Sequence, residues 1–346
     1  MLRRSRWLTL LAALAALLTV VVTAGCGSED KTSGAADQSA SSSGEGTGAG
    51  TRLRIILVGA APPSEPFASV SAKGLEQAGE DFNLETIWRG PAQPNPSDPT
   101  EQGRLIENAI ASNPDGLIIS DVYPRQFNPL IRSAVDKGIP VMLFSAGVDE
   151  VEETGALGFV GNDEFASGRL AGEEMDGLGA RHPLVVALTR GIPSLDARVD
   201  GFRDGFPGDV TVLEVPMKDI NDTTKVRNLI EVELQKDSSI DAVWPIGTGL
   251  GAPVLAAYDA LGEKARQMKW GQLGLDGPTI NALKQEQYSF STDQQQFLQG
   301  YLPAMWLSFY ARYGMRPVDP FIRTGPSIVT PEDADQLIDL SAKKIR

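Results

Sequence analysis

From residue 52 onward the sequence keeps one rhythm: a short apolar run rich in β-branched residues, a corner of Gly, Pro, Asp or Ser, then a longer helical pattern. The runs are LRIILVG (53–59), LETIW (84–88), DGLIIS (115–120), PVMLFS (140–145), ALGFVG (156–161) and LVVALT (184–189). They continue with VTVLEV (210–215), DAVWPIG (241–247), WGQLGLD (270–276), YSFSTD (288–293) and SIVT (327–330). Helical patterns occupy 101–112, 125–137, 163–178, 222–236 and 295–313 between them. Strands that are apolar on both faces and alternate with helices belong to parallel sheets covered on both sides. About eleven strands exceed one small sheet, and 346 residues exceed a single core, so two doubly wound lobes are expected. A single eight-stranded barrel fits the strand count and the long N-terminal segment less well.

That N-terminal segment sets the compartment. Arg3, Arg4 and Arg6 precede an apolar run from Trp7 to Val22, followed by Thr23, Ala24, Gly25 and Cys26. The run is short for a bilayer span and has the layout of an export signal over residues 1–25. The single cysteine after two small residues resembles a bacterial lipobox, in which Cys26 is lipidated and becomes the mature N-terminus. Thr23 and Val22 depart from the commonest form of that motif. Residues 27–51 hold no aromatic and no large aliphatic side chain, so with Cys26 they read as a lipid-anchored flexible tether.

Composition then removes several functions. One His (His182) and one Cys leave no material for a Ser-His-Asp triad, a zinc site or a disulfide. A net charge of -14 argues against nucleic acid as a partner. No glycine-rich phosphate loop stands at the first strand's corner, so no nucleotide cofactor is expected, nor any metal.

Ligands of doubly wound sheets bind at the carboxyl ends of strands, which directs attention to the corners. Phe67 stands at the first, placed to stack on a sugar ring or to staple its helix. Ser120 and Asp121 follow the third run, and Ser145, Ala146 and Gly147 the fourth; their short polar groups serve hydroxyls or cap helices equally well. Arg198 lies near the start of a helix, against the macrodipole, which points either to a ligand or to a salt bridge with Asp200 or another carboxylate. Asp276 offers two acceptor oxygens or a helix cap. Asp293, Gln294, Gln295 and Gln296 form four consecutive polar groups at a strand-to-helix corner. Together these groups describe a cleft for a polyhydroxylated, uncharged molecule.

The segments PDGLIIS, GIPVMLFSAG, GFVGNDEFASGRLAGE, ARVDGFRDGF, IDAVWPIG, LGLDG and STDQQQFLQGYLPAMW, in this order, resemble the sugar-binding, ribose-binding-like branch of the type I periplasmic binding proteins. The resemblance spans about residues 53–330. It implies two Rossmann-like α/β lobes joined by three hinge crossovers, with 52–162 plus 295–324 in the N-lobe and 163–294 plus 325–346 in the C-lobe. It further implies a monomeric, non-enzymatic receptor that takes a sugar or polyol and serves an ABC transporter permease. Phe67, Arg198, Asp276 and Gln295 would be sugar contacts, with Asn221 near another. Asn162 and Asp163 would sit at the first crossover, Asp163 capping the next helix. Gly168 and Gly172 each cost that helix roughly 1 kcal/mol against alanine; with Ser167 and Ala171 they would let it lie close on the sheet. Ser145-Ala146 and Gly247-Thr248 stand where ribose-type receptors carry Asp-Arg and Asn-Asp, which points to a different pentose, a hexose or a linear polyol. A sensor coupled to a membrane kinase is the alternative, and a glycosidase using Asp276 and Asp293 the remote one.

Overall fold

The structure is a computed structural model that describes residues 52–92, 99–188 and 190–346. The export signal, Cys26 and the tether lie outside the described residues. All described residues belong to one compact unit.

The apolar runs form two six-stranded sheets. In chain order the first half contributes β1 (Leu53–Val58), α1 (Pro66–Asp81), β2 (Leu84–Arg89), α2 (Thr100–Ala111), β3 (Gly116–Ile119), α3 (Pro124–Asp136), β4 (Val141–Phe144), α4 (Val151–Thr154) and β5 (Phe159–Asn162). Then come α5 (Glu164–Gly177), β6 (Pro183–Leu188), α6 (Pro193–Gly205), β7 (Thr211–Val215), α7 (Thr223–Lys236), β8 (Ala242–Pro245), α8 (Gly251–Leu261), α9 (Glu263–Arg266), β9 (Lys269–Leu273), α10 (Gly277–Lys284) and β10 (Phe290–Asp293). The chain ends with α11 (Gln296–Tyr313), β11 (Phe321–Gly325), β12 (Ser327–Val329) and α12 (Ala334–Ala342).

One sheet runs β11-β5-β4-β3-β1-β2 and the other β12-β10-β9-β8-β6-β7. All ladders are parallel except β10 with β12. Each sheet therefore repeats the same doubly wound order, with its topological switch beside β1 or β6, where sheets of this kind open a crevice for a ligand. The α/β, two-lobed architecture is the one the alternation implies. All eleven apolar runs become strands, whereas β11 was not among them. It is a half-exposed edge strand, FIRTG, with Arg323 facing solvent, so it lacks the continuous burial that made the others legible.

Burial explains the runs. Ile55, Leu57, Ile118 and Met142 in the first sheet, and Val185, Val186 and Trp244 in the second, are fully enclosed between helical layers. The chain passes between sheets at β5–α5, at β10–α11 and between β11 and β12. These crossings are tied to each other: Asp163 N–H reaches the Gly325 carbonyl (3.4 Å), and the Thr324 hydroxyl donates to the Gln294 carbonyl (2.8 Å).

Gly168 and Gly172 correct the reading of α5. The helix does rest on the second sheet, through Met175, but its two glycines face α6: a Cβ at Gly168 would come within 1.9 Å of the Arg198 carbonyl oxygen, and one at Gly172 within 2.5 Å of that of Phe202. The facing helix answers in kind, since a Cβ at Gly201 would lie 2.0 Å from the Phe165 oxygen and one at Gly205 2.1 Å from that of Arg169. Two glycine pairs, each spaced by one turn, let the helix backbones touch. The sequence reading missed this because the partner glycines belong to another element.

Candidate functional site

The carboxyl ends of strands from both sheets converge on a cleft of about 530 Å³. From the first sheet's side come the turn after β1, the start of α1, and the ends of β2, β3 and β4; from the second, the ends of β6, β8 and β9 and the starts of α6 and α7. Six residues singled out in the sequence meet there: Phe67, Ser120, Ser145, Arg198, Asn221 and Asp276.

Each is positioned by local chemistry. Phe67 is the second residue of α1, behind Pro66, and packs partly on the first sheet's core. Ser145 follows β4 in the left-handed region (φ 64°), which breaks the strand's alternation. Asp276 is a helix cap that also lines the cleft. Its Oδ1 accepts from Thr279 N–H (2.8 Å), capping α10 from the cleft wall.

Arg198 is 8 % exposed. It forks onto Glu164, Nε to Oε2 at 2.6 Å and Nη2 to Oε1 at 2.9 Å, and gives Nη1 to the Ile246 carbonyl at 2.8 Å. The partner is Glu164 and not Asp200, which pairs with Arg190. Three of five N–H groups are thus spent in fixing the guanidinium, and two remain for the cleft.

Asp293 and Gln295 are corrections: neither lines the cleft. Asp293, 1 % exposed, accepts from Gln295 N–H at 2.8 Å and ion-pairs with Arg346. Burial pushes its carboxyl up, against the pull of Arg346. Gln295 is left-handed (φ 48°) and starts α11. The Gln296 carbonyl takes the Ser71 hydroxyl, and that of Gln294 takes Thr324 and Gln299. The polar quartet fastens a crossover instead of a ligand, and Asp276 with Asp293 is no carboxylate pair around a shared substrate. At the first crossing, Asp163 Oδ1 accepts from Ala166 N–H (3.0 Å) as the cap of α5, and Asn162 donates to Glu164 (2.8 Å) and Ser167 (2.7 Å).

Several cleft groups escaped the sequence reading. Trp88, near the end of β2, lines the cleft with its indole N–H held by the Ala61 carbonyl (3.1 Å) and its ring 6.0 Å from that of Phe144, edge to face. It was legible as the last residue of its run. Thr248, noted in the sequence only as a departure from the ribose-type pattern, lines the cleft at the corner after β8. Glu65 precedes Pro66, a helix-start signature, and caps α1 through Ala68 N–H (2.9 Å). Burial pushes its carboxyl up, two backbone N–H groups oppose this, and the charge of Asp276 across the cleft adds to the rise.

Beside the cleft, burial raises Asp121 to about 7, with the Glu150 charge adding to it. The native state therefore holds a proton between roughly pH 4 and 7 that the unfolded chain has released, so stability falls as pH rises through that window. Asp121→Asn is expected to flatten this slope and to raise stability at about pH 8 by up to about 4 kcal/mol, with little change below about pH 4. Urea unfolding at several pH values checks it; an unchanged slope would refute the assignment.

The profile of the "Periplasmic binding protein domain" family matches residues 56–314. The chain belongs to this family. Among relatives of this periplasmic binding protein, the xylose/arabinose-binding protein XylF of Sulfolobus acidocaldarius is 24% identical over 268 residues, covering 71% of this chain and 63% of that protein. The chain thus spans less than two thirds of that curated relative's length. A carbohydrate transporter from Acidothermus cellulolyticus 11B, solved in complex with myo-inositol, superposes with a TM-score of 0.77 at 26% identity, over 86% of this chain and 100% of its own. The periplasmic ribose ABC transporter of Conexibacter woesei gives 0.72 at 21% identity, over 87% and 100%, which shows the shared fold.

Proposed function

We propose that this periplasmic binding protein is an extracytoplasmic receptor that captures a sugar or polyol between its lobes and delivers it to an ABC importer permease. Lipidation at Cys26 would hold it to the outer face of the cytoplasmic membrane through the 27–51 tether. The observation that carries this reading is the composition of one cleft built from both lobes. Ser120, Ser145, Thr248, Asp276 and the fixed Arg198 line it together with the aromatic residues Phe67 and Trp88. Polar groups around apolar ring faces match a molecule with hydroxylated edges and C–H faces. The xylose/arabinose-binding relative and the myo-inositol complex of a structural relative support the ligand class. A ligand that bonds both lobes at once favours the closed state by its differential affinity for it.

Thermal unfolding against pentoses, hexoses, cyclic and linear polyols, nucleosides and amino acids tests the proposal. A true ligand at 100 times its dissociation constant adds about 2.7 kcal/mol, a clear rise in the midpoint. Stabilisation by sugars or polyols alone supports it; stabilisation only by amino acids or nucleosides refutes it.

A further inference from the structure

The strand order sorts the walls of the cleft. The three crossings between sheets gather at one end of each, on β5 and β11 or on β10 and β12, and leave β2 and β7 at the other. Polar side chains come from the strands nearer the crossings. Ser120 follows β3, Ser145 β4, Thr248 β8 and Asp276 β9, while Arg198 is fastened to the Ile246 carbonyl just after β8. Glu65, at the start of α1, feels the charge of Asp276 and so belongs with this half. The strands toward the far edges contribute a different set: Ala61 after β1 and Trp88 in β2, then Leu188 in β6, Ile192 and Leu195 at the start of α6, and Ile220 after β7.

This outer half has little to offer a hydroxyl. The one polar side-chain atom of Trp88 is spent on the Ala61 carbonyl (3.1 Å). Leu188 and Ile192 are 8 % and 9 % exposed, so they belong to an enclosed wall and not to a solvent-facing rim. Ser194, Asn221 and Thr223 are the polar exceptions, and the last two are exposed, so water already serves them. A hydroxyl buried against such a wall loses its water and gains no partner, which is costly. Each methylene buried there is instead worth about fourfold in affinity. The cleft volume of about 530 Å³ lies within the range that holds drug-sized ligands, roughly 300–1,000 Å³.

We propose that the ligand is amphiphilic: a sugar or polyol carrying an apolar substituent, as in a short alkyl or aryl glycoside. Its hydroxyls take the side of β3, β4, β8 and β9, and the substituent lies between Trp88 and the Leu195 and Ile220 side chains. This rests on the receptor reading of the same cleft and narrows it.

Titration calorimetry on the full chain tests it. Xylose, arabinose, glucose, galactose and myo-inositol are set against their methyl, butyl and phenyl glycosides or ethers, with butanol and phenol alone alongside. In at least one series the butyl member is expected to bind tenfold or more tightly than the methyl one, with a more negative heat-capacity change, the mark of apolar burial. Ile220→Ser is expected to cut that ratio at least threefold; should it fail to fold, Leu195→Ser, at a half-buried position, is expected to do the same. Parent sugars or methyl members that bind at least as tightly as the butyl and phenyl ones would overturn the proposal and leave the receptor reading standing. Binding by no member of any series would count against both readings. A butyl-to-methyl ratio unchanged in the folded variants would place the substituent away from this wall and overturn the proposal. Butanol or phenol binding as tightly as the glycosides would overturn it too, making this half a site for apolar molecules without a sugar.

Discussion

Arg198→Ala is expected to abolish ligand-induced stabilisation and to destabilise the ligand-free protein by about 3–5 kcal/mol. The two effects have separate origins in one side chain. Glu164 is as buried as its partner, with side-chain exposures of 9% and 10%. Removing the guanidinium leaves a buried carboxylate with only the Asn162 amide, and the Ile246 carbonyl loses its donor. The binding effect arises because the two N–H groups not used on the protein are held by those that are, so a ligand meets a donor pair whose ordering cost is already met. Arg198→Lys should fail almost as badly, because a point-like ammonium cannot span both oxygens of Glu164 and the Ile246 carbonyl together. A double-mutant cycle with Glu164→Ala isolates the pair: the double variant should be less destabilised than the sum of the singles, since no lone charge stays buried. Equilibrium unfolding and calorimetry read both quantities. Retention of ligand affinity within tenfold in Arg198→Ala would remove the residue from the site.

Wherever the information was local, the sequence was readable. Strands enclosed on both faces, such as Ile55–Val58 and Leu184–Leu188, show as unbroken apolar runs because neither face meets water. Caps were equally plain: Asp276 and Asp163 lie three residues before the N–H groups they accept from. What failed depended on distant partners. Asp293 and Gln295 have the composition of a binding corner, yet Arg346 and Thr324, remote in sequence, turn that corner into a joint. Arg198 was singled out for a position that disfavours a cation, but Glu164, one helix away, could not be read as its anchor. Asp121 looked like any polar strand end, and only the packing around it reveals a carboxyl enclosed beside the Glu150 charge.

The contact of α5 with α6 joins stability to the site, and Gly168→Ala exposes the link. On propensity alone the change should stabilise, by about 1 kcal/mol in a helix interior. The new methyl would instead sit 1.9 Å from the Arg198 carbonyl oxygen and 2.8 Å from the Phe202 nitrogen, both backbone atoms that cannot swing aside. The helices must part, and overpacking of this kind costs about 1–3 kcal/mol or more; a net loss near 2 kcal/mol is expected. Gly177→Ala, on the same helix with nothing within 4 Å of its new methyl, supplies the control and should be neutral or stabilising. Because the displaced backbone belongs to Arg198 itself, Gly168→Ala should also weaken ligand binding, whereas Gly177→Ala should not. Chemical denaturation of the two variants side by side decides the matter. If Gly168→Ala unfolds no earlier than Gly177→Ala, the helices are not in backbone contact and the glycines need another explanation. If it loses stability but binds ligand normally, the contact is scaffold alone and the guanidinium is set entirely by Glu164 and the Ile246 carbonyl.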